Sequence, residues 1–451
     1  MPTLATTPEL NLLDPESNGG RYQPVTLTLG LDFVFVRSGD PLPRRVPVRL
    51  FGDHDPERFL VEEVSNGDGS VPYLRARNES PIDVFLLAGQ LVRGGKQNRG
   101  INADLLVGAG TSATIPVTCV EQGRWSGTPR SRFQHGGIEP LSLRSMKMRE
   151  AHAARRRGAE AHADQRAVWS EIAHLSESIS ARSASSDLLH ALEVHKSRRA
   201  SGLAEPSGAA DGALEGELRD AETRLHEFRS AAIDAMARWQ SDLSRPDMGG
   251  DVAPTPRPPL ELILRQLSRA ERDVMRLRAA IEAHRAAPRP TVGGAVADDV
   301  DGADTKVDLA GADAAAAGAS GMLVFFNGDF LAGDLFADPA WFAKVYGDLR
   351  DSALLSWEVA SRRWRRIRPM SADAAERAAS GARAIVRDAL EGDWRERPSV
   401  AEGRSRLLEH PSLESAVLSG RDEVPLHMLI GTKEIPEMLR NPARGEERPR
   451  V

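Results

Sequence analysis

Four consecutive polar side chains, Lys96, Gln97, Asn98 and Arg99, follow the glycine pair Gly94-Gly95 and form the segment best suited to bind a polar ligand. An ammonium group, a guanidinium fork and two amides together suit a phosphate, a carboxylate or the polar edge of a nucleotide. The glycine pair lets backbone N–H groups approach the same anion. The alternative is a solvated hairpin tip, because loops collect polar residues in any case. The residue types predict an anion site and leave the hairpin tip open.

A second polar segment, from Cys119 to Trp125, closes the β-rich part of the chain. Glu121 falls where a predicted strand ends, so it can serve as an acid or base group or form a structural ion pair with Arg99 or Arg124. We favour the ion pair, and Glu121 stays the one catalytic candidate. The expected ligand-binding residues are Lys96, Gln97, Asn98, Arg99, Gln122, Arg124 and Trp125.

Three further features are more simply explained without a catalytic or binding role. Cys119 lies on the apolar face of a predicted strand, and a nucleophilic role would need a neighbouring base or cation to form the thiolate. His135, in a glycine-rich loop, is a weak candidate. The basic cluster of residues 362–366 is better explained by a helix end than by nucleic acid, because the chain is acidic overall. The motifs of zinc proteases, redox dithiols, serine hydrolases and phosphate-binding loops are absent, so we predict no metal and no cofactor.

Composition limits the class of protein. The chain has 451 residues, of which 41% are hydrophobic and 27% charged, with a net charge of -6. A chain of this length is expected to hold two or three structured units. The charge gives no general attraction to nucleic acid or to anionic membranes. A single cysteine and the lack of a secretory or membrane-spanning apolar run predict a cytoplasmic protein.

Periodicity predicts an α+β protein whose first domain is an antiparallel β-sandwich or barrel-like unit over residues 22–144. Alternating apolar residues over 25–31 and 33–36 are typical of strands, and turn clusters separate the next segments. Further strands are expected at 45–51, 59–64, 73–77, 83–87, 103–107 and 113–120. Residues 1–21 are predicted to be disordered.

Helical patterns follow. Residues 145–200 predict a helical segment that packs on the core, with Val168, Ile172 and Leu175 on one face. Residues 201–287 hold two heptad repeats, which predict an antiparallel coiled-coil hairpin; the alternative is association with a partner or a second copy through the helices of 217–284. Residues 288–320, rich in Ala, Gly and Asp, predict a flexible linker.

The sequence predicts a C-terminal α/β portion over residues 321–433. Asn327-Gly328 between two apolar runs predicts a β-hairpin. A helix is expected from Pro339 and another from a cap at Ser371 to about Leu390. A last strand pair is expected over 413–419 and 424–431, and residues 434–451 are predicted to be a disordered tail.

The segment from 84 to 125 resembles the ARG- and rhodanese-phosphatase-superfamily-associated protein domain. The residues that carry the resemblance are Gly95 to Arg99 and the sequence CVEQGRW over 119–125. Residues 165–169 and 327–336 also resemble family segments, whereas 201–320 resembles an insertion. Since ARG denotes ADP-ribosylglycohydrolase, the resemblance implies a place in NAD or ADP-ribose metabolism without establishing a reaction.

Two hypotheses remain. In the first, the protein binds or acts on an ADP-ribose-like or other phosphorylated nucleotide, with Lys96 and Arg99 on phosphate and Glu121 as the acid or base. In the second, the protein is an interaction module in which the Lys96–Arg99 run is a structural clamp and the helical insertion recruits a partner.

Overall fold

A computed structural model describes most of the chain outside the central insertion. The described residues are 10–16, 19–28, 30–38, 46–64, 72–124, 132–181, 183, 185–200, 225, 271–272, 274–275, 278, 307–363, 373–434 and 436. Contacts divide the chain into two compact units: residues 1–178 with 300–451, and residues 179–299. The predicted heptad hairpin falls almost entirely outside the described residues.

The first unit contains an eight-stranded antiparallel sheet. Its strands are β1 (Arg21–Thr28), β2 (Leu31–Arg37), β12 (Gly321–Phe326), β13 (Asp329–Phe336), β14 (Asp393–Arg397), β15 (Arg404–Glu409), β16 (Leu413–Ser419) and β17 (Pro425–Thr432). Their order is β1-β2-β12-β13-β17-β16-β15-β14. The predicted hairpin at Asn327-Gly328 joins β12 to β13, and the predicted last strand pair is β16 and β17.

The large sheet contains strands from both ends of the chain. Strand β2 pairs with β12, with Val34 opposite Leu323, so the first two strands share a sheet with the last six. Six of the seven residues of β2 are buried, as expected for a central strand covered on both faces. The prediction of a mixed α+β fold with antiparallel sheets is confirmed, and the predicted domain boundaries stay predictions.

The other nine strands form two smaller sheets. They are β3 (Val48–Leu50), β4 (Phe59–Glu63), β5 (Tyr73–Asn78), β6 (Asp83–Leu86), β7 (Gln90–Arg93), β8 (Arg99–Ile101), β9 (Leu105–Val107), β10 (Ser112–Cys119) and β11 (Gln134–Ile138). One sheet has the order β11-β7-β8-β10-β5-β4, and the other has the order β3-β6-β9. The predictions missed β7, β8 and β11, because strands of three to five residues that contain glycine or polar residues show little alternation.

The helices of the described residues are α1 (Leu141–Arg156), α2 (Gln165–Ser178), α3 (Leu188–Ala200), α4 (Leu309–Ala316), α5 (Pro339–Arg363) and α6 (Ala374–Leu390), with a 3-10 turn at Leu10–Leu13. Helix α5 begins at Pro339 as predicted, and Val168, Ile172 and Leu175 of α2 are buried as predicted. The expected cap residue Ser371 lies outside the described residues. None of the described helices is long and apolar enough to cross a membrane.

Two segments that the sequence predicts to be unstructured contain residues that are buried near the large sheet. Leu10 and Leu13, in the segment predicted to be disordered, are buried in the core cluster that includes Ala382 and Val386 of α6. In the segment predicted to be linker, the small residues of α4 pack close to the opposite core cluster. Asp308 caps this helix by accepting a hydrogen bond from the Gly311 N–H at 2.9 Å. Low sequence complexity did not signal disorder here, because alanines fit a closely packed helix.

We expect Leu10→Ala to lower the free energy of unfolding by about 2–5 kcal/mol, because the substitution leaves a cavity beneath α6. Urea unfolding followed by circular dichroism measures this change. Glu57→Ala, at an exposed position, is the control and should stay within about 0.5 kcal/mol of the unsubstituted protein. Equal midpoints for all three proteins would show that the N-terminal turn adds nothing to the core.

Candidate functional site

The Lys96–Arg99 run begins at a tight turn between β7 and β8 that only glycine can make. Gly94 and Gly95 have φ angles of 138° and 51°. A Cβ atom on Gly95 would lie 2.2 Å from the Phe133 ring and 2.7 Å from the Glu63 carboxylate. Backbone conformation and close packing therefore both require glycine at Gly95.

Glu121 and Arg124 close over this turn, as the favoured interpretation predicted. Arg124 donates a bidentate pair of hydrogen bonds to Glu121, from Nε to Oε1 at 2.9 Å and from Nη2 to Oε2 at 2.7 Å. The Asn98 N–H donates to the same Oε2 at 3.1 Å, and Arg124 Nη1 donates to the Gly95 carbonyl at 2.9 Å. The Glu121 side chain is only 5% exposed, so the ion pair with Arg124 is confirmed and holds the turn to the end of β10.

The rest of the run is turned inward. Gln97, Asn98 and Arg99 are all buried, and Arg99 is fully enclosed. Arg99 Nη1 donates to the Gln97 carbonyl at 2.8 Å, and the Lys96 backbone N–H donates to Glu63 Oε1 at 3.0 Å. Burial lowers the pKa of Arg99 and raises the pKa of the neighbouring Cys119 thiol.

We call this arrangement of Glu63, residues 94–99, Glu121 and Arg124 the clamp. Gln122 contributes its backbone carbonyl, which accepts from Gln97 Nε2 at 3.4 Å. Trp125 lies outside the described residues. The structure thus brings the expected site residues together, and the polar groups described above bond mainly to one another.

We expect Glu121→Gln to lower the free energy of unfolding by about 1–3 kcal/mol, because it removes the charge that compensates Arg124. Chemical denaturation measures the loss. The matched control is Glu79→Gln, in the exposed ion pair with Arg77, for which about 0–1 kcal/mol is expected. A similar loss in both variants would mean that burial of Glu121 adds nothing to the ion pair.

Helix α1 carries a second, unpredicted set of polar residues. Arg144, Lys147, His152 and Arg155 recur at helical spacing and are all buried, with exposed fractions of 3%, 2%, 5% and 6%. We call these four residues the basic stripe. Burying so many basic groups is costly unless each is paired, so their partners are the informative observation.

Three members of the basic stripe bind carboxylates. Arg144 forks onto Asp334 of β13, with N–O distances of 2.6 and 2.8 Å. Lys147 Nζ lies 2.5 Å from Glu139 Oε1, and His152 Nδ1 lies 2.9 Å from Glu414 Oε1. A Cβ on Gly100 would lie 1.8 Å from Glu139 Oε1, so that pair also needs a glycine beside it.

The Arg144 pair extends to a buried histidine. His427 of β17 lies between two carboxylates, with Nδ1 2.6 Å from Asp104 and Nε2 3.0 Å from Asp334. Burial lowers the pKa of His427, but Asp104 and Asp334 outweigh this and raise it above the ordinary value. Burial raises the pKa of Asp334, but Arg144 and His427 hold it well below its usual range. The network therefore favours a protonated imidazole.

This network predicts how stability depends on pH. Because the folded pKa of His427 is raised from 6.5, its contribution is fully present below about pH 6.5 and is lost as pH rises through the folded value. We expect the difference in unfolding free energy between the unsubstituted protein and His427→Gln to shrink from pH 6 to pH 9. Urea unfolding across that range measures it, since the other titrating groups are shared. A difference that stays constant or grows with pH would contradict the assignment.

The fourth member, Arg155, lies at the wall of a cleft with a volume of about 300 Å³. The lining residues are Tyr73, Thr114, Pro116, Arg155, Gly158, Ala159, Glu160, Ala161, Arg397, Pro398, Ser399 and Val400. The end of α1 positions Arg155. The Ala159 N–H donates to the Ala154 carbonyl and the Gly158 N–H to the Arg155 carbonyl, with Gly158 at φ 77°. This Schellman motif reverses the chain and brings Glu160 to the cleft.

Arg155 differs from the other three members in its partners. Within the part of the chain that the structure describes, it donates only to neutral oxygens, from Nη2 to Ser405 Oγ at 2.7 Å and to the Pro398 carbonyl at 3.2 Å. Burial, together with Arg397, lowers its pKa to about 10 in spite of Asp104. The second guanidinium in the cleft, Arg397, binds Glu409 through Nη2 at 3.3 Å, while its buried Nε has no hydrogen-bond partner among the described residues. Two guanidinium groups thus line the cleft, and Nε of one of them has no hydrogen-bond partner among the described residues.

The other candidate residues from the sequence have hydrogen-bond partners within the protein. His135 Nε2 lies 3.1 Å from Asp348, and His135 Nδ1 lies 2.9 Å from Gln90 Nε2. Arg362, in the last turn of α5, pairs with Glu358 at 2.6 Å and donates to the Ser178 carbonyl, which agrees with the helix-end interpretation. No group of three or more potential metal ligands occurs among the described residues.

The comparison with protein families gives a match over part of the chain. Residues 52–214 match the ARG and Rhodanese-Phosphatase-superfamily-associated Protein domain. The resemblance predicted from residues 95–99 and 119–125 is thereby confirmed. No curated protein and no solved structure matched the chain.

The matched range of the ARG and Rhodanese-Phosphatase-superfamily-associated Protein domain contains the clamp and the whole basic stripe. Several groups that contact the basic stripe or line the cleft come from outside it, among them Asp334, Glu414 and Arg397. The basic stripe was not predicted, although Arg144, Lys147 and Arg155 lie at helical spacing in the sequence. No local signal could have placed Arg397 beside Arg155, because 241 residues of chain separate them.

Proposed function

We propose that the protein binds a phosphorylated nucleotide, ADP-ribose-like or another, in the cleft, with Arg155 and Arg397 paired to phosphate. The observation that carries this proposal is the difference within the basic stripe. Three members bind carboxylates of the protein, whereas Arg155, at the wall of a cleft, donates only to neutral oxygens among the described residues.

Electrostatics supports an anionic ligand. Removing a guanidinium from water is costly, and neutral acceptors recover only part of that cost. A phosphate bound to Arg155 would complete the pattern set by the other three members, and charge-assisted bonds of this kind are stronger than neutral ones. Arg397 adds a second planar donor, which suits the several oxygens of a phosphate.

The family match supports the class of ligand. The name of the domain records an association with ARG, taken as ADP-ribosylglycohydrolase, and with the rhodanese-phosphatase superfamily. A glycohydrolase of ADP-ribose and a phosphatase both act on phosphate-bearing molecules, in agreement with a site built on guanidinium groups. The proposal is one of binding and assigns no reaction.

The clamp has a separate role in this proposal. Glu121 and Arg124 already bind each other, and Gln97, Asn98 and Arg99 are buried, so we assign the clamp to holding β7, β8 and β10 together. Glu121 then acts as a structural partner of Arg124. The recruitment of a partner by the helices of 217–284 stays a prediction, because nearly all of those residues lie outside the described ones.

Isothermal titration calorimetry with ADP-ribose and AMP tests the proposal. We expect saturable binding by the unsubstituted protein and affinity at least about tenfold weaker for Arg397→Gln, because one charge-assisted contact to phosphate is lost. Arg155→Gln should weaken binding similarly if this variant folds. If it does not fold, Arg397→Gln still tests the proposal, because the Arg397 side chain is partly exposed.

The matched control is Arg395→Gln, on the same strand, where Arg395 pairs with Asp393 and does not line the cleft. It should bind as the unsubstituted protein does. The absence of binding at millimolar ligand, or equal loss in the Arg395 and Arg397 variants, would overturn the proposal. Unchanged ligand affinity in Glu121→Gln is expected from the role given to the clamp.

A further inference from the structure

The cleft offers a second kind of binding group besides its two guanidiniums. Tyr73 Oη donates to Glu160 Oε2 and lies 3.4 Å from His162 Nε2. The Glu160 side chain is 65% exposed, so its carboxylate is accessible to a bound molecule. Ser399 and Thr114 add hydroxyl groups to the lining. The cleft therefore combines an anion-binding part with a part rich in hydrogen-bond acceptors.

These two parts would orient a ligand. A phosphate is attracted by Arg155 and Arg397 and repelled by the Glu160 carboxylate. Hydroxyl groups have the opposite preference, because a carboxylate is a strong acceptor with no proton to donate. A molecule with a phosphate and several hydroxyls satisfies both parts at once. A molecule that carries a phosphate alone leaves the acceptor part unused.

The walls offer little to a nucleobase. Bases in proteins commonly stack on aromatic faces. Tyr73 is the one aromatic residue among the described residues that line the cleft, and its ring packs edge-on against His162 with its hydroxyl engaged by Glu160. A volume of about 300 Å³ also lies at the lower end of the range for small-molecule sites.

We infer that the cleft recognises the phosphorylated sugar of its ligand, with Arg155 and Arg397 on the phosphate and Glu160 on the sugar hydroxyls. The base of a nucleotide lies outside the cleft and adds little affinity. This inference rests on the proposed function, since it requires phosphate at the same two arginines. It makes a sugar phosphate the smallest complete ligand.

Calorimetric titration of the full chain with inorganic phosphate, ribose 5-phosphate and AMP tests the inference. We expect ribose 5-phosphate to bind at least about tenfold more tightly than inorganic phosphate, because hydrogen bonds to a carboxylate are added. Its affinity should lie within about threefold of that of AMP, because the base makes few contacts. Ribose 5-phosphate that binds no better than phosphate, or AMP that binds more than about tenfold tighter than ribose 5-phosphate, overturns the inference.

The variant Glu160→Gln separates the sugar contact from the phosphate contact. We expect its affinity for ribose 5-phosphate to fall at least about fivefold and its affinity for inorganic phosphate to stay unchanged or rise. The control is Glu79→Gln, another exposed carboxylate on a residue that does not line the cleft. Unchanged ribose 5-phosphate affinity in Glu160→Gln overturns the role of Glu160.

The two proposals fail in different ways. If none of the phosphate ligands binds, the proposed function fails and the inference with it. If phosphate and AMP bind in an Arg397-dependent manner but ribose 5-phosphate gains nothing over phosphate, only the inference fails.

Discussion

The cost of burying basic side chains along one helix is the constraint on which much of this fold depends. Helix α1 buries Arg144, Lys147 and His152, and each binds a carboxylate in the protein interior. Those carboxylates come from Glu139, which lies between β11 and α1, and from strands β13 and β16. The partners of one helix therefore tie the family-matched region to the C-terminal strands.

This dependence explains why the large sheet joins both ends of the chain. Asp334 and Glu414 reach α1 only if β13 and β16 lie in the same sheet, and β2 enters that sheet through β12. His427, on the strand between β13 and β16, binds Asp104 as well as Asp334 and so links the family-matched region to the same sheet. Polar pairing thus adds specificity to a core whose apolar clusters supply most of the burial.

The clamp shows that a polar run can be structural. Its residue types suit an anion, yet the turn at Gly94 and Gly95 folds the run back against Glu63 and Glu121. The residues of the cleft, by contrast, were not predicted from the sequence. Arg155 lies in the last turn of a helix and Arg397 ends a strand, and both positions are ordinary for arginine. The role of each arginine depends on the groups that lie beside it in the folded protein.

The sequence by itself determined the local elements whose signals are short-range. The hairpin at Asn327-Gly328, the start of α5 at Pro339 and the pairing of Glu121 with Arg124 over three residues were all predictable. The family match over residues 52–214 was also predictable, because the motif that carries it is contiguous in the sequence. Only the tertiary structure decided that Leu10 and the alanines of α4 are core, since small or isolated apolar residues carry no periodic signal. It also decided that Arg155 and Arg397 meet at one cleft, because distant charges are brought together by sheet topology and not by spacing.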